Sequence, residues 1–213
     1  MKVYFFSGLG ADARLFQRLE APEGFEFVAL DYIPPGNSRS IGDYARLLSD
    51  HYDFEEPFIL GGVSIGGMIV QELAQIIEAK AVILISTAMS RSEMPLLFTI
   101  ARKLPVGFLM NKSFLSAFAK TLDPFTVKSV EGRELFLEML EDTPADFLKF
   151  GSNAILNWRP PLTTVKTIRI HGTRDRVFPA RKISNAHMIK GGNHFMAFEK
   201  AKEISEVLRR ELT

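Results

Sequence analysis

Short apolar runs alternate with segments of helical periodicity along most of this chain. The apolar runs are rich in β-branched and aromatic residues, and most are continuous, as expected for strands buried on both faces. Six of them are predicted strands, at residues 3–6, 25–30, 58–60, 81–85, 167–170 and 186–189. Helices are predicted between them at 12–20, 41–52, 66–79 and 196–211. This order predicts an α/β protein with a reduced, mostly parallel sheet of about six strands.

The alternation stops between residues 88 and 160. Helical segments are predicted there at 95–104, 112–122, 132–140 and 144–157, and the interval is rich in phenylalanine. Most of these aromatic side chains are expected to form the core of the helices, and a minority to line an apolar pocket. The sequence therefore predicts an α/β core of residues 1–87 and 161–213, with a helical cap of residues 88–160 inserted into it.

A G-x-S-x-G pattern, Gly62-Val63-Ser64-Ile65-Gly66, lies between a predicted strand and a predicted helix. This is the nucleophile elbow pattern, in which a tight turn exposes the serine hydroxyl above the end of the sheet. The alternative interpretation is a glycine-rich turn without chemistry. Because an ordinary serine is a weak nucleophile, the pattern gains meaning only if the chain also supplies a base and a group that orients it.

The loop Gly8-Leu9-Gly10 follows the first predicted strand and admits two interpretations. With Asp31 about twenty residues further on, it meets the terms of a dinucleotide-binding fingerprint. Alternatively, it supplies a backbone N–H to an oxyanion hole, with Leu9 as one donor and Ile65, the residue after the serine, as the other. The rest of the chain has to decide between them.

Two later loops supply the base and the orienting acid. Asp175 follows the fifth predicted strand, and His194 lies in a glycine-rich loop after the sixth. Ser64, Asp175 and His194 thus occur in the chain order nucleophile, acid, base, each beyond the carboxyl end of a strand, where ligand sites of parallel sheets lie. Taken one at a time, Asp175 could be a turn residue and His194 a loop residue without a catalytic role. His171, at a strand end, is interpreted as structural or as supporting the site.

Composition excludes several other classes. The formal net charge is +1, and no long basic run exists, which argues against a nucleic-acid partner. The chain has no cysteine, no histidine pair with metal-ligand spacing and no phosphate-binding loop, so no metal or cofactor is predicted. No apolar segment is long enough to span a membrane, and no signal-peptide pattern is recognised, so a cytoplasmic location is expected.

These motifs together resemble the α/β-hydrolase superfamily over nearly the whole chain. The resemblance rests on the loop at 8–10, the segment 31–38, the serine at 64, and the loops at 172–175 and 192–194. It implies a three-layer fold and gives Asp31 a structural role, which weakens the dinucleotide interpretation. This chain departs from many members in having Ser7 where they carry histidine, and in lacking the first two antiparallel strands.

The resemblance and the motifs predict a serine hydrolase, with carboxylesterase as the expected type and a small, mainly apolar ester as substrate. Amides and thioesters are alternatives, as are C–C bond hydrolysis, aminopeptidase action and lyase chemistry on the same triad. An aminopeptidase would need carboxylates for the substrate amine, and Glu131, Glu134, Glu138 and Glu141 more closely fit a solvated helix face. A further alternative is a receptor-like binding module with negligible turnover. The sequence does not predict the oligomeric state.

Overall fold

The computed structural model describes residues 1–96, 98, 102, 127–162 and 164–213. One sheet of six strands runs in the spatial order β2-β1-β3-β4-β5-β6, and all neighbouring strands are parallel. The strands are β1 (Lys2–Phe6), β2 (Glu26–Leu30), β3 (Phe58–Val63), β4 (Ala81–Ile85), β5 (Lys166–Gly172) and β6 (His187–Ile189). The predicted sheet of about six parallel strands is therefore confirmed, with each predicted strand at its expected place.

The strand order explains where a site can form. The chain passes from β1 outward to β2, then returns to place β3 on the opposite side of β1. The connections after β1 and β3 consequently leave the sheet in opposite directions, which opens a crevice at the carboxyl ends of these two strands. Ligand sites of open α/β sheets form at such a reversal. The loop after β1 carries Leu9, and the turn after β3 carries Ser64.

Helices cover both faces of the sheet, in agreement with the predicted three-layer architecture. The α-helices among the described residues are α1 (Ile41–His51), α2 (Ile65–Leu73), α3 (Val130–Asp142), α4 (Ala145–Asn157), α5 (Met196–Glu199) and α6 (Ala201–Leu212). Side chains of α1, α2 and α4 form one apolar core with the sheet, and those of α3, α5 and α6 form the other. The start of α1 carries a capping box, in which Ser40 Oγ accepts from Asp43 N and Asp43 Oδ2 accepts from Ser40 N, both at 3.1 Å.

Three helices differ from their predicted extents. The predicted helix at 12–20 is a short 3-10 turn, Ala13–Phe16, because the chain beyond it bonds elsewhere: Glu20 N donates to Ser205 Oγ at 2.9 Å. The helix predicted to end at residue 79 ends at Leu73, and the following residues form tighter turns. The predicted helix at 196–211 is divided at Lys200, whose backbone departs from helical geometry at φ −128° and ψ 29°.

Between β4 and β5, two of the four predicted helical segments correspond to α3 and α4. The segment 112–122 and most of 95–104 lie outside the described residues. No helix among the described residues is both long and apolar enough to cross a membrane.

A hydrogen bond between Trp158 and Glu72 joins the end of α4 to α2. Trp158 Nε1 donates to Glu72 Oε1 at 2.9 Å, and the tryptophan is buried. Burial raises the pKa of Glu72, and the tryptophan N–H opposes this effect only in part. The ionised carboxylate is therefore less stable in the folded protein than in the unfolded chain.

This raised pKa predicts the response to Glu72→Gln. When the pKa of a carboxyl group is higher in the folded state than in the unfolded chain, the free energy of unfolding falls as the pH rises above the unfolded-state pKa of about 4.3. The oxygen of the introduced amide can still accept from Trp158, but the new side chain carries no charge. We expect Glu72→Gln to stabilise the protein at pH 7 by about 0.5 kcal/mol after solvent screening, and to have no effect near pH 3. Urea unfolding at both pH values measures this; an equal effect at both would contradict it.

Candidate active site

Ser64 occupies a strained turn between β3 and α2. Its backbone has φ 55° and ψ −117°, a left-handed conformation that non-glycine residues rarely adopt. Such a conformation costs about 1–3 kcal/mol and persists only where the surroundings impose it. Here Ser64 N donates to Ile85 O at 3.1 Å, and Thr87 Oγ1 donates to Ser64 O at 2.7 Å. The end of β4 therefore holds the serine backbone in place.

Two glycines make this turn sterically feasible. A Cβ atom on Gly62 would lie 2.3 Å from the backbone carbonyl of Gly66, and a Cβ on Gly66 would lie 2.1 Å from Phe6 O. Both contacts involve backbone atoms, which cannot move aside as a flexible side chain can. The glycines of the G-x-S-x-G pattern thus allow α2 to begin directly against β3 and the end of β1. This packing gives the pattern a physical cause in this chain.

The loop after β1 lies against the serine. A Cβ atom on Gly8 would be 3.6 Å from Ser64 Cβ. The loop is closed by Ser7 Oγ, which donates to Ala11 O at 2.7 Å, and by Tyr32, whose hydroxyl donates to Ser7 O. Ser7 thus has a role in shaping the loop. Sequence reasoning did not predict that role or the role of Tyr32.

The backbone N–H groups of Leu9, which follows Gly8 in this loop, and of Ile65, which follows Ser64, lie near the serine. Within the described part of the chain, neither N–H donates a hydrogen bond. Two unsatisfied N–H groups beside a serine are what an oxyanion hole requires. The dinucleotide interpretation finds no comparable support, since only a four-residue 3-10 turn follows the loop and a Cβ on Gly10 would lie 2.8 Å from Leu140 Cδ1 of α3.

Asp175 and His194 are joined directly. His194 Nδ1 lies 2.9 Å from Asp175 Oδ2, and the Asp175 side chain is 0% exposed while that of His194 is 18% exposed. The other carboxylate oxygen, Oδ1, accepts from Val177 N and Phe178 N, both at 2.9 Å. Burial works against ionisation, but His194, His171 and the Phe178 N–H together hold the pKa of Asp175 below its usual range. Asp175 is therefore a carboxylate that fixes His194 Nδ1 as a donor.

His171 lies next to Asp175 and bonds to the turn that carries it. It is buried, and its Nε2 lies 2.9 Å from Phe178 O and 3.6 Å from Asp175 Oδ2. Burial lowers the pKa of His171. The neutral ring with its proton on Nε2 donates to Phe178 O, which stabilises the turn that carries Asp175. The sequence interpretation of His171 as structural agrees with this placement.

The structure thus brings Asp175 and His194 into contact, and places Leu9 and Ile65 beside Ser64. In the part of the chain that the structure describes, the Ser64 hydroxyl forms no hydrogen bond, to His194 or to another residue. Catalytic hydrogen bonds are often long in proteins without substrate and tighten when substrate binds. Among the described residues, no group of three or more histidine, aspartate or glutamate side chains is arranged to hold a metal ion.

Comparison with known proteins identifies the family. A family model described as the alpha/beta hydrolase family matches residues 3–207. The chain belongs to the alpha/beta hydrolase family. A search of curated proteins finds no match to the sequence. Membership in the family, together with the fold, supports hydrolytic activity without identifying the substrate.

Solved structures of other hydrolases share the fold of this alpha/beta hydrolase. A thermophilic esterase from Thermogutta terrifontis is 18% identical with a TM-score of 0.78, covering 100% of this chain and 89% of its own. A lipase-esterase related protein from Clostridium acetobutylicum is 17% identical, with a TM-score of 0.70 and coverages of 98% and 93%. A hydrolase from Pseudomonas aeruginosa is 15% identical, with a TM-score of 0.74 and coverages of 99% and 89%. At these identities the similarity establishes the fold alone.

Proposed function

We propose that this protein is a serine hydrolase that cleaves carboxylic esters through an acyl-enzyme, with amides and thioesters as further substrates of the same chemistry. The observation that carries the proposal is the hydrogen bond between His194 Nδ1 and the buried Asp175 carboxylate. That bond leaves Nε2 of the imidazole as the acceptor that a serine nucleophile needs. Two of the solved proteins of the same fold are described as an esterase and a lipase-esterase related protein.

Each residue then has a defined role. Ser64 Oγ attacks the ester carbonyl as His194 Nε2 accepts its proton, which forms a tetrahedral intermediate. The intermediate collapses, the C–O bond of the ester breaks, and His194 returns the proton to the departing alcohol. Water, activated by the same imidazole, then hydrolyses the acyl-enzyme and restores Ser64. Asp175 keeps the imidazole in the correct tautomer and stabilises its protonated form without itself being protonated.

The oxyanion of the intermediate would be held by the backbone N–H groups of Leu9 and Ile65. Such donors act because they already point to the place where negative charge develops. The loss of one donor typically lowers kcat by about 10²–10³-fold. The unsatisfied state of both N–H groups among the described residues supports this assignment.

The surroundings of the site favour an uncharged or apolar acyl group. Leu9 contributes a partly exposed aliphatic side chain to the loop that lies next to the serine, and the ring of Phe178 lies 5.7 Å from that of His194. We also propose that α3 and α4 belong to a cap over the site, formed by residues 88–160. A small ester is the proposed binding partner, and the cytoplasm is the proposed location.

Helix α4 packs against the side chains of the two proposed oxyanion-hole residues, Leu9 and Ile65, which gives a direct test. A Cβ on Gly151 would lie 2.6 Å from Leu9 Cδ1 and 3.2 Å from Ile65 Cδ1. Because Leu9 Cδ1 is the end of a flexible side chain, Gly151→Ala should fold at a cost of about 1–2 kcal/mol. The shift of Leu9 should lower kcat by about 10-fold, since small displacements are costly in catalysis.

The control is Lys149→Ala, an exposed substitution on the same helix that should leave kcat unchanged. Ester hydrolysis and melting temperature, measured for both variants, check the prediction. An unchanged kcat in Gly151→Ala would show that α4 does not act on the oxyanion hole.

The proposed function is tested with a panel of p-nitrophenyl esters of increasing acyl length, measured on the wild type and on His194→Ala. We expect turnover of at least one short or medium acyl ester, and a loss of about 10³-fold or more in His194→Ala. Equal hydrolysis by both proteins would contradict the proposal. A folded wild type that labels with a serine-directed probe but turns over no ester, amide or thioester would favour the receptor-like alternative.

A further inference from the structure

Glu199 connects two parts of the molecule that meet beside the proposed catalytic histidine. It is the last residue of α5, five residues after His194. Its carboxylate accepts four hydrogen bonds, which come from two different segments. One segment is the loop that carries His194, and the other is the start of α3 in the chain between β4 and β5. Neither the elbow pattern nor the triad order assigns a role to this residue.

The contact with the histidine loop is made through Asn193. Glu199 Oε2 accepts from Asn193 Nδ2, and Asn193 is 1% exposed. The other end of the same amide, Oδ1, accepts from Phe195 N at 3.1 Å. The Asn193 side chain therefore bonds to the backbone that follows His194 and to Glu199 at the same time. The position of the His194 backbone is thus restrained on both sides.

The contact with α3 uses the other carboxylate oxygen. Glu199 Oε1 accepts from Lys128 N at 2.8 Å, from Ser129 N at 2.6 Å and from Ser129 Oγ at 2.9 Å. Ser129 is the N-cap of α3, and its Oγ in turn accepts from Gly132 N at 3.0 Å. Hydrogen bonds to an ionised acceptor are stronger than those between neutral groups. One carboxylate therefore holds the beginning of α3 and the histidine loop together.

We propose that Glu199 is a positioning residue for His194, acting through Asn193. The inference rests on the proposed serine hydrolase function. Glu199 does not touch substrate or the reacting atoms; it sets the place of the His194 loop relative to α3, and so the direction of the imidazole toward Ser64. A displacement of about 1 Å in such a group is sufficient to lower a catalytic rate by about 10²-fold.

The substitution Glu199→Gln separates the contact with the histidine loop from the contact with α3. In Glu199→Gln, the amide oxygen can still accept from the three donors of residues 128 and 129, but the amide NH₂ then faces the NH₂ of Asn193. Asn193 cannot turn over, because its oxygen is needed by Phe195 N. Glu199→Gln therefore breaks the contact with the histidine loop and keeps the contact with α3.

Exchanging the amide and the carboxylate between positions 193 and 199 should restore the hydrogen bond between these two side chains. In Asn193→Asp combined with Glu199→Gln, the new carboxylate at position 193 accepts from Phe195 N and from the amide NH₂ introduced at position 199. The amide oxygen at position 199 still accepts from residues 128 and 129. Asn193→Asp alone places two carboxylates in contact and breaks the same bond from the other side. It provides a second single variant should Glu199→Gln fail to fold.

The experiment measures the second-order rate constant for labelling by a fluorophosphonate probe at a temperature well below the melting temperature. The melting temperature of each variant is measured as well. We expect each single variant to label about 10- to 100-fold more slowly than the wild type, and the double variant to label within about 3-fold of it. Glu203→Gln makes the same charge change four residues along the chain, at a surface pair with Lys200, and should leave the rate unchanged.

A role of Glu199 in stability alone is distinguished from a positioning role by testing whether the effect of Glu199→Gln on labelling requires His194. If Glu199 acts through the histidine, Glu199→Gln should change the labelling rate by less than about 2-fold in a His194→Ala background. A lowered melting temperature with an unchanged labelling rate in both single variants would overturn the positioning role. A wild type that does not label would instead overturn the proposed function, and with it the inference that rests on it.

Discussion

Asp175→Asn is expected to lower kcat for ester hydrolysis by about 10⁴-fold while the fold remains in place. Asp175 Oδ1 accepts two loop N–H groups, from Val177 and Phe178, so the oxygen of the new amide must stay on that side. The amide NH₂ then faces His194 Nδ1, which must become an acceptor. The imidazole proton moves to Nε2, and the atom that should accept the Ser64 proton no longer can.

Asp31→Asn is the matched control, because Asp31 is an exposed aspartate that also follows a strand, β2. It should leave kcat within about 2-fold of the wild type, because the exposed Asp31 side chain has no part in the proposed mechanism. Steady-state hydrolysis of the best p-nitrophenyl ester, with circular dichroism as a check on folding, provides the measurement. A loss in Asp175→Asn of less than about 10-fold would show that Asp175 does not set the tautomer of a catalytic histidine.

Arg169→Met is expected to lower the free energy of unfolding by about 3–5 kcal/mol. Arg169 on β5 forms a two-pronged ion pair with Glu93, with Nη1–Oε1 at 3.1 Å and Nη2–Oε2 at 2.8 Å. The two side chains are only 8% and 7% exposed. Removal of the guanidinium leaves Glu93 as a buried charge, and among the described residues its carboxylate then accepts only from Met89 N, at 2.7 Å.

The cost should fall when the charge left behind is also removed. In Glu93→Gln combined with Arg169→Met, the amide oxygen introduced at position 93 can still accept from Met89 N, and no buried charge remains. We expect this double variant to be more stable than Arg169→Met alone by at least about 1 kcal/mol. Denaturant unfolding of the two single variants and the double variant measures the difference. A value for Arg169→Met within about 1 kcal/mol of the wild type would contradict a structural role for the pair.

The sequence predicted the sheet because its strands are continuous apolar runs, a signal that depends little on distant contacts. It predicted the extents of helices less well, because these depend on tertiary contacts. The helix predicted at 12–20 ends at Phe16, since Glu20 bonds to Ser205, and Lys200 divides the last helix. Local sequence patterns show neither feature. Glu20 and Ser205 are far apart in the sequence, and the break at Lys200 is one of backbone geometry.

The residues of the candidate site also divide into those that a local sequence pattern predicts and those that it does not. The G-x-S-x-G pattern and the loops with Asp175 and His194 carry local signals, and the structure places the latter two side chains in contact. The supporting residues carry no such signal. Thr87 holds the Ser64 carbonyl from the end of β4, Tyr32 bonds to Ser7 from the loop after β2, and Glu199 bonds to residue 128, 71 positions away. These contacts arise only when the sheet brings separate loops to one edge.

We propose that Ser64 is an activated nucleophile, and intact-mass analysis after exposure to a fluorophosphonate probe is the decisive experiment. The wild type should gain the mass of one adduct, Ser64→Ala should gain none, and His194→Ala should react at least about 10³-fold more slowly. An unmodified wild type that is shown to be folded, or an adduct that forms equally on Ser64→Ala, would contradict the claim.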